Sequence, residues 1–304
     1  MTIQATNESR KGVLNAISAY FLWGLAPIYF KLIKDISPDE IMVHRVVWSC
    51  VLLFVIVLLT KKIHPLISII KQPKIITRLT LTASFLGVNW FLFIWAVNND
   101  HLLDASLGYF INPLFSVALG VIFLKERLRK WQLIAVALAV IGVLIQLVFI
   151  GSLPIISLAL AGTFGIYGLL RKKLHVDSFI GLLVESVLML PIALIYWQFF
   201  VGSDTSNMFN NTLSLNTTLL FAGIVTTAPL LCFTAAAKRL TLSTVGFFQY
   251  IGPSIMFILA TVYYQETLVA EKLITFIFIW LALFIYSLDS LKAHKQKKLL
   301  VGSS

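Results

Sequence analysis

Gly108-Tyr-Phe-Ile-Asn-Pro113, followed by an apolar run ending Phe123-Leu-Lys-Glu126-Arg-Leu128, has a second copy. That copy is Phe248-Gln-Tyr-Ile-Gly-Pro253, followed by an apolar run ending Tyr263-Tyr-Gln-Glu266-Thr-Leu268. In both, Glu follows Pro by 13 positions, and the copies are offset by 140 residues. Each lies in the fourth hydrophobic segment of a set of five. Segments of about 20 apolar residues are long enough to cross a bilayer as helices. Ten are read, near 12–33, 40–60, 75–98, 103–124, 131–149, 153–171, 178–200, 214–236, 242–264 and 272–291. The reading divides the chain into a first five-helix repeat (1–150), a second (151–292) and a basic tail (293–304).

Composition agrees with a membrane environment. Hydrophobic residues make up 59% of the 304 and charged residues only 12%, against about 25% charged in soluble domains. Mean hydropathy is +0.92. A net charge of +11 would suit nucleic acid, but the cations form short clusters between apolar runs, so no nucleic-acid partner is expected. Twenty of the 24 Lys and Arg fall in the N-terminal segment, in alternate loops and in the tail. Lys31, Lys34, Arg45 and Lys272 are the four on the other side. Positive charge marks the cytoplasmic side, so both termini are expected there. Cys50 and Cys232 both fall within spans and argue against a disulfide framework. The polar N-terminus, Met1 to Arg10, lacks the form of a cleaved signal peptide.

Five spans per half is an odd number, so the second half enters the membrane from the opposite side. The expected fold is an all-α integral membrane protein of ten transmembrane helices, arranged as two inverted five-helix repeats. Such repeats supply the two interchangeable conformations of alternating access, the hallmark of secondary transporters. Ala19-Tyr-Phe-Leu-Trp23-Gly24 beside Thr163-Phe-Gly-Ile-Tyr167-Gly168 places an aromatic–glycine step at one depth in both first helices.

The Pro-x12-Glu endings and the aromatic–glycine step resemble the EamA-type family of the drug/metabolite transporter superfamily. Tyr20-Phe-Leu-Trp-Gly-Leu-Ala-Pro-Ile-Tyr-Phe-Lys31, Asp39-Glu-Ile-Met-Val-His-Arg45 and Phe93-Ile-Trp-Ala-Val-Asn-Asn99 are similar to its RarD-like bacterial branch. So are Ala105-Ser-Leu-Gly-Tyr-Phe-Ile-Asn-Pro113 and Val245-Gly-Phe-Phe-Gln-Tyr-Ile-Gly-Pro253. The resemblance covers residues 10 to 290. It implies a multi-pass permease of the bacterial inner membrane, in a group connected with chloramphenicol sensitivity. Amino acids or related amphipathic metabolites are the expected cargo, because relatives in the superfamily export such compounds.

Ionisable groups within spans are costly and mark pathways or partners. Lys31, His44, Arg45 and Glu185 are the candidates, with snorkelling the expectation for Lys31. Arg45 and Glu185 differ by the repeat offset, so inversion places them at opposite poles of one pathway rather than in a direct bridge. Arg45 is expected to attract a substrate carboxylate or to snorkel. Glu185 is expected to carry a coupling proton or to hydrogen-bond a neighbouring helix. The remaining substrate-contact candidates are Trp23, His44, Asn89, Trp90, Trp95, Asn98, Tyr109, Asn112, Tyr167, Thr226, Gln249 and Tyr250, with interhelical packing as the alternative for each. Glu126 and Glu266 end their helices against the dipole, which suggests a specific partner such as a backbone amide starting helix five or ten.

Other classes fare worse. The five histidines are scattered, and no His-Glu-x-x-His or Gly-x-Ser-x-Gly run supports an enzyme. No phosphate-cradling Gly-x-x-x-x-Gly-Lys loop supports an ATP-driven pump. A channel-like facilitator and a drug efflux protein stay open. No cofactor or metal is expected; membrane lipid surrounds the chain, and a homodimer is an open option.

Overall fold

The computed structural model describes residues 3–99, 102–150, 155–263, 265 and 270–302. Its first helices are α1 (Ile3–Leu32), α2 (Pro38–Leu59), the short α3 (Ile63–Ile70), α4 (Pro73–Asn98), α5 (Leu102–Leu124) and α6 (Lys130–Ile150). There follow α7 (Ile155–Lys173), α8 (Ser178–Phe200), α9 (Leu213–Arg239), α10 (Leu242–Gln249), α11 (Ile251–Ile258) and α12 (Ala270–Gly302). Among the described residues nine helical stretches are long and apolar enough to cross a membrane, α10 and α11 counting as one; α6 adds a shorter described apolar stretch, Lys130–Ile145.

Local chemistry sets the helix ends. Pro38 and Pro73 begin α2 and α4, where a missing donor does no harm. The Asp177 carboxylate caps α8 by accepting from the Phe179 amide at 3.0 Å, and Thr212 and Thr241 cap α9 and α10. Lys125 and Gln265, each the residue before a repeated glutamate position, both adopt left-handed backbone at φ 54° and 52°. At Lys125 this reversal returns the Glu126 amide to the Gly120 carbonyl at 3.1 Å.

The two halves interleave. α5 packs on α7 and α10, α1 on α9 and α11, α2 on α8 and α9, α4 on α7 and α8, and α6 on α12. Without a hydrophobic force between helices in lipid, close approach depends on small residues. A Cβ on Gly223 of α9 would lie 2.6 Å from the Trp48 backbone of α2, and one on Gly246 would lie 2.8 Å from the Pro113 carbonyl. Large apolar side chains such as Phe54, Leu59, Ile122, Phe199 and Phe284 cover the outside, as a lipid-facing surface requires.

Three sequence expectations are corrected here. The connection left between the second and third segments, 61–74, contains α3, whose Ile63, Leu66 and Ile69 pack against the core. The ninth segment is broken at Tyr250 into α10 and α11 and ends in a π-helical turn, Leu259–Tyr263. Finally, α7 runs on to Lys173, and Arg171, at the end of the 153–171 segment and counted among the basic residues that set orientation, is fully buried.

Candidate functional site

Glu185 is the eighth residue of α8 and Arg45 the eighth of α2, so each sits roughly 10 Å from the start of its helix. They occupy opposite poles and have different partners. At the Glu185 pole, Arg171 Nη1 lies 3.4 Å from Glu185 Oε1. Thr82 Oγ1 of α4 donates to Glu185 Oε1 at 2.5 Å, and the Tyr167 hydroxyl donates to Oε2 at 3.4 Å. All four side chains are fully buried. Tyr167 and Arg171 are one turn apart on α7, so a single helix face delivers both to the carboxylate. Gly181 leaves room for the guanidinium, since a Cβ there would overlap Arg171 Nη1. The pole is closed, and Lys238 of α9 lies within electrostatic range of both Arg171 and Glu185.

The Arg45 pole is less enclosed. Arg45 Nε donates to Thr226 Oγ1 of α9 at 2.9 Å, and its guanidinium lies 4.8 Å above the Trp90 ring. Cation–π attraction favours that placement. The hydroxyls of Tyr29 and Tyr109 are within electrostatic range. Arg45 is half-buried and Tyr109 is 44% exposed, whereas the Glu185 group is fully buried. Among the described side chains no carboxylate pairs with Arg45.

His44, next in sequence to Arg45, points elsewhere. Its Nδ1 accepts from Trp48 Nε1 at 3.1 Å, and its Nε2 lies 3.7 Å from Glu40 Oε1. Glu40 Oε2 accepts from Ser203 Oγ at 2.5 Å and Thr205 Oγ1 at 2.9 Å, tying the segment after α8 to α2. The structure thus separates His44 from the Arg45 group.

The other candidates divide by position. Trp90 and Thr226 touch Arg45, with Tyr109 close by. Trp23 joins an aromatic cluster with Tyr20, Phe164 and Phe233, 5.5 to 6.0 Å between centroids, and Tyr167 stacks on Phe233. Asn89 Nδ2 donates to the Leu160 carbonyl and to Thr163 Oγ1, both at 2.9 Å, and so ties α4 to α7. Gln249 and Tyr250 likewise bond α10 to α5, through Ser116 and the Phe110 carbonyl. Asn112 is half-buried with an unpartnered Oδ1; Trp95 is exposed, and the Asn98 side chain lies outside the described residues. Glu126 finds a partner the sequence did not suggest. Its carboxylate accepts from the amides of Leu242 (2.6 Å) and Ser243 (2.9 Å), capping α10 rather than helix five or ten. Glu266 lies outside the described residues.

Arg171, Thr82 and Glu40 were missed. A signal for Arg171 was present: a lone intramembrane carboxylate needs a partner, and of the cations after Tyr167 only Arg171 lies one turn from it.

A bundle of long apolar helices that holds buried charged groups defines a multi-pass membrane protein. Comparison with known proteins gives its class as a transporter. A family profile described as the EamA-like transporter family matches residues 10–148. An uncharacterized transporter of Vibrio cholerae is 56% identical over 286 residues, covering 94% of this chain and 95% of its own. Protein RarD of Escherichia coli is 53% identical over 289 residues, covering 95% and 98%. A Pseudomonas aeruginosa protein called chloramphenicol-sensitive protein RarD is 31% identical over 295 residues, covering 95% and 97%. A crystal structure of 17% identity superposes with a TM-score of 0.73 over 91% of this chain and 97% of its own, which shows the same fold. The chain belongs to the EamA-like transporter family, as a RarD-like permease of the bacterial inner membrane.

Proposed function

We propose that this permease is a secondary carrier for small carboxylate-bearing metabolites, amino acids or related amphipathic compounds, working by alternating access. In this reading ten helices form two inverted five-helix repeats, with the basic face and both termini in the cytoplasm. Cargo binds near Arg45, on Trp90 and Thr226 and beside Tyr109. A guanidinium held by one neutral hydrogen bond keeps donors for a bidentate carboxylate, and the aromatic rings suit an apolar body.

One observation carries the reading: the two poles are chemically parallel. Thr82 bonds Glu185 and Thr226 bonds Arg45; the ionisable pair is offset by 140, the step of the repeat, and the threonines by 144, about one helical turn more. The paired left-handed residues Lys125 and Gln265 and the reciprocal packing (α5 on α7 with α1 on α11, α1 on α9 with α4 on α7) support it further. One pole is less enclosed than the other, as one half-cycle of a rocking carrier requires. Its pairing with Arg171 makes Glu185 a better latch than proton carrier.

The test is a counterflow screen in proteoliposomes across amino acids and small organic acids. Saturable counterflow by a carboxylate, lost in Arg45→Ala at unchanged protein level, is expected; uptake without counterflow would mean a channel-like facilitator. The name of the Pseudomonas relative brings chloramphenicol into the screen as the drug-efflux alternative. Imposing a pH difference on Glu185→Gln separates latch from proton carrier, since only a proton carrier loses pH-driven accumulation while keeping exchange. A reporter fused after Ser304 or within Lys61–Lys74 should read cytoplasmic, and one within Gly202–Asn216 external.

A further inference from the structure

The two poles differ in one respect that their parallel chemistry makes informative: one carries its own counter-ion and, among the described side chains, the other does not. Arg171 and Glu185 neutralise each other, and their pole is shut with Thr82 and Tyr167 fully buried around them. Arg45 has a neutral partner, Thr226. The acidic side chains on its own helix are engaged elsewhere, Asp39 with the Tyr196 hydroxyl and Glu40 with Ser203 and Thr205.

We propose that the carrier is an obligatory exchanger of anions. Shutting the Arg45 pole without cargo buries an uncompensated guanidinium, so the empty protein does not complete the cycle. A cargo carboxylate supplies the missing counter-charge, and the pole shuts over a neutral pair as the Glu185 pole already does. This rests on the carrier reading above and adds two properties to it. The cargo carries negative charge where it meets Arg45, and it moves in only when another anion moves out. The cost of a buried unpaired cation corresponds to about a 100-fold slower return of the empty carrier than of the loaded one.

The first test needs no knowledge of the cargo. Tyr109→Cys, in a background with Cys50 and Cys232 replaced, reports the opening through its rate of reaction with a bulky charged thiol reagent in lipid nanodiscs without added solute. With Arg45 present the empty protein is expected to react fast. Two changes remove the charge barrier by different routes, Arg45→Met by deleting the cation and Thr226→Asp by supplying a counter-ion at the hydroxyl's place. Each is expected to slow the reaction at least tenfold, because the empty pole then shuts, while Arg45→Lys reacts like the parent. Reaction rates unchanged in both Arg45→Met and Thr226→Asp overturn the proposal. The second test uses labelled benzoate, succinate and L-phenylalanine in proteoliposomes either empty or preloaded with the same compound. Preloading is expected to raise uptake about 100-fold, and equal uptake into empty and loaded vesicles overturns obligatory exchange. If none of the three enters either kind of vesicle, the cargo reading fails, and the thiol rates still decide the charge barrier.

Discussion

Removing the Glu185 carboxylate isolates the contribution of the closed pole. In Glu185→Leu, Arg171 is left fully buried with a charge and no acceptor, since its Nε, Nη1 and Nη2 make no hydrogen bond even in the intact protein. Leaving one member of a buried pair uncompensated costs about 3–5 kcal/mol. Replacing both members by apolar residues of similar size is close to neutral. The double variant Arg171→Met/Glu185→Leu is therefore expected to be more stable than either single variant, despite carrying more substitutions. The long 3.4 Å separation favours this outcome, because a loose pair recovers less of its desolvation cost. The assay is thermal unfolding of the four proteins in one detergent, read as a double-mutant cycle. A Glu185→Leu protein as stable as the parent, or a double variant that loses the sum of the singles, would refute the reasoning.

Three further predictions concern the scaffold. Gly223→Ala puts a Cβ 2.6 Å from the Trp48 backbone, so α2 and α9 must separate; a large fall in thermal midpoint is expected, beyond that of Gly87→Ala, whose nearest contact is 3.7 Å. Gly120→Ala places its Cβ 2.6 Å from Glu126 Oε2 and displaces the cap of α10, with an expected loss of about 1–2 kcal/mol by the same measurement. At Asp177, partial burial pushes the carboxyl up, but the Lys62 ion pair and the Phe179 and Ile180 amides outweigh it and hold it below the usual carboxylate range. A lowered value stabilises the fold above about pH 4, and that stabilisation is lost as pH falls through the folded-state value. Asp177→Ala is expected to cost about 1 kcal/mol at neutral pH and progressively less in acid; a cost independent of pH would remove the ion pair from the account.

The large features were legible because the bilayer leaves few alternatives. Long apolar runs must be helices, so the all-helical class and the approximate places of the long apolar helices follow from the sequence. Arg45 and Glu185 were visible as rare charges at matching depths. Arg171 was hidden by its neighbours: read beside Lys172 and Lys173 it looks like part of an orientation signal, although its side chain is fully buried. α3 was hidden because eight residues are too few for a span and its apolar positions sit among flanking lysines. Asn89, Gln249 and Tyr250 show the opposite limit. Their polar groups mark a need for a partner, but sequence does not say whether that partner is a neighbouring helix or a solute.

The interleaving of the halves bears on how such a protein can arise and be assembled. Glu126, from the first half, holds the start of α10 in the second, and the main packing partners of α1, α2, α4, α5 and α6 all come from the second half. Neither half encloses a core of its own. Translation of the first five spans therefore delivers into the membrane a chain whose small-residue faces still wait for partners, and tertiary structure forms only once the second half arrives.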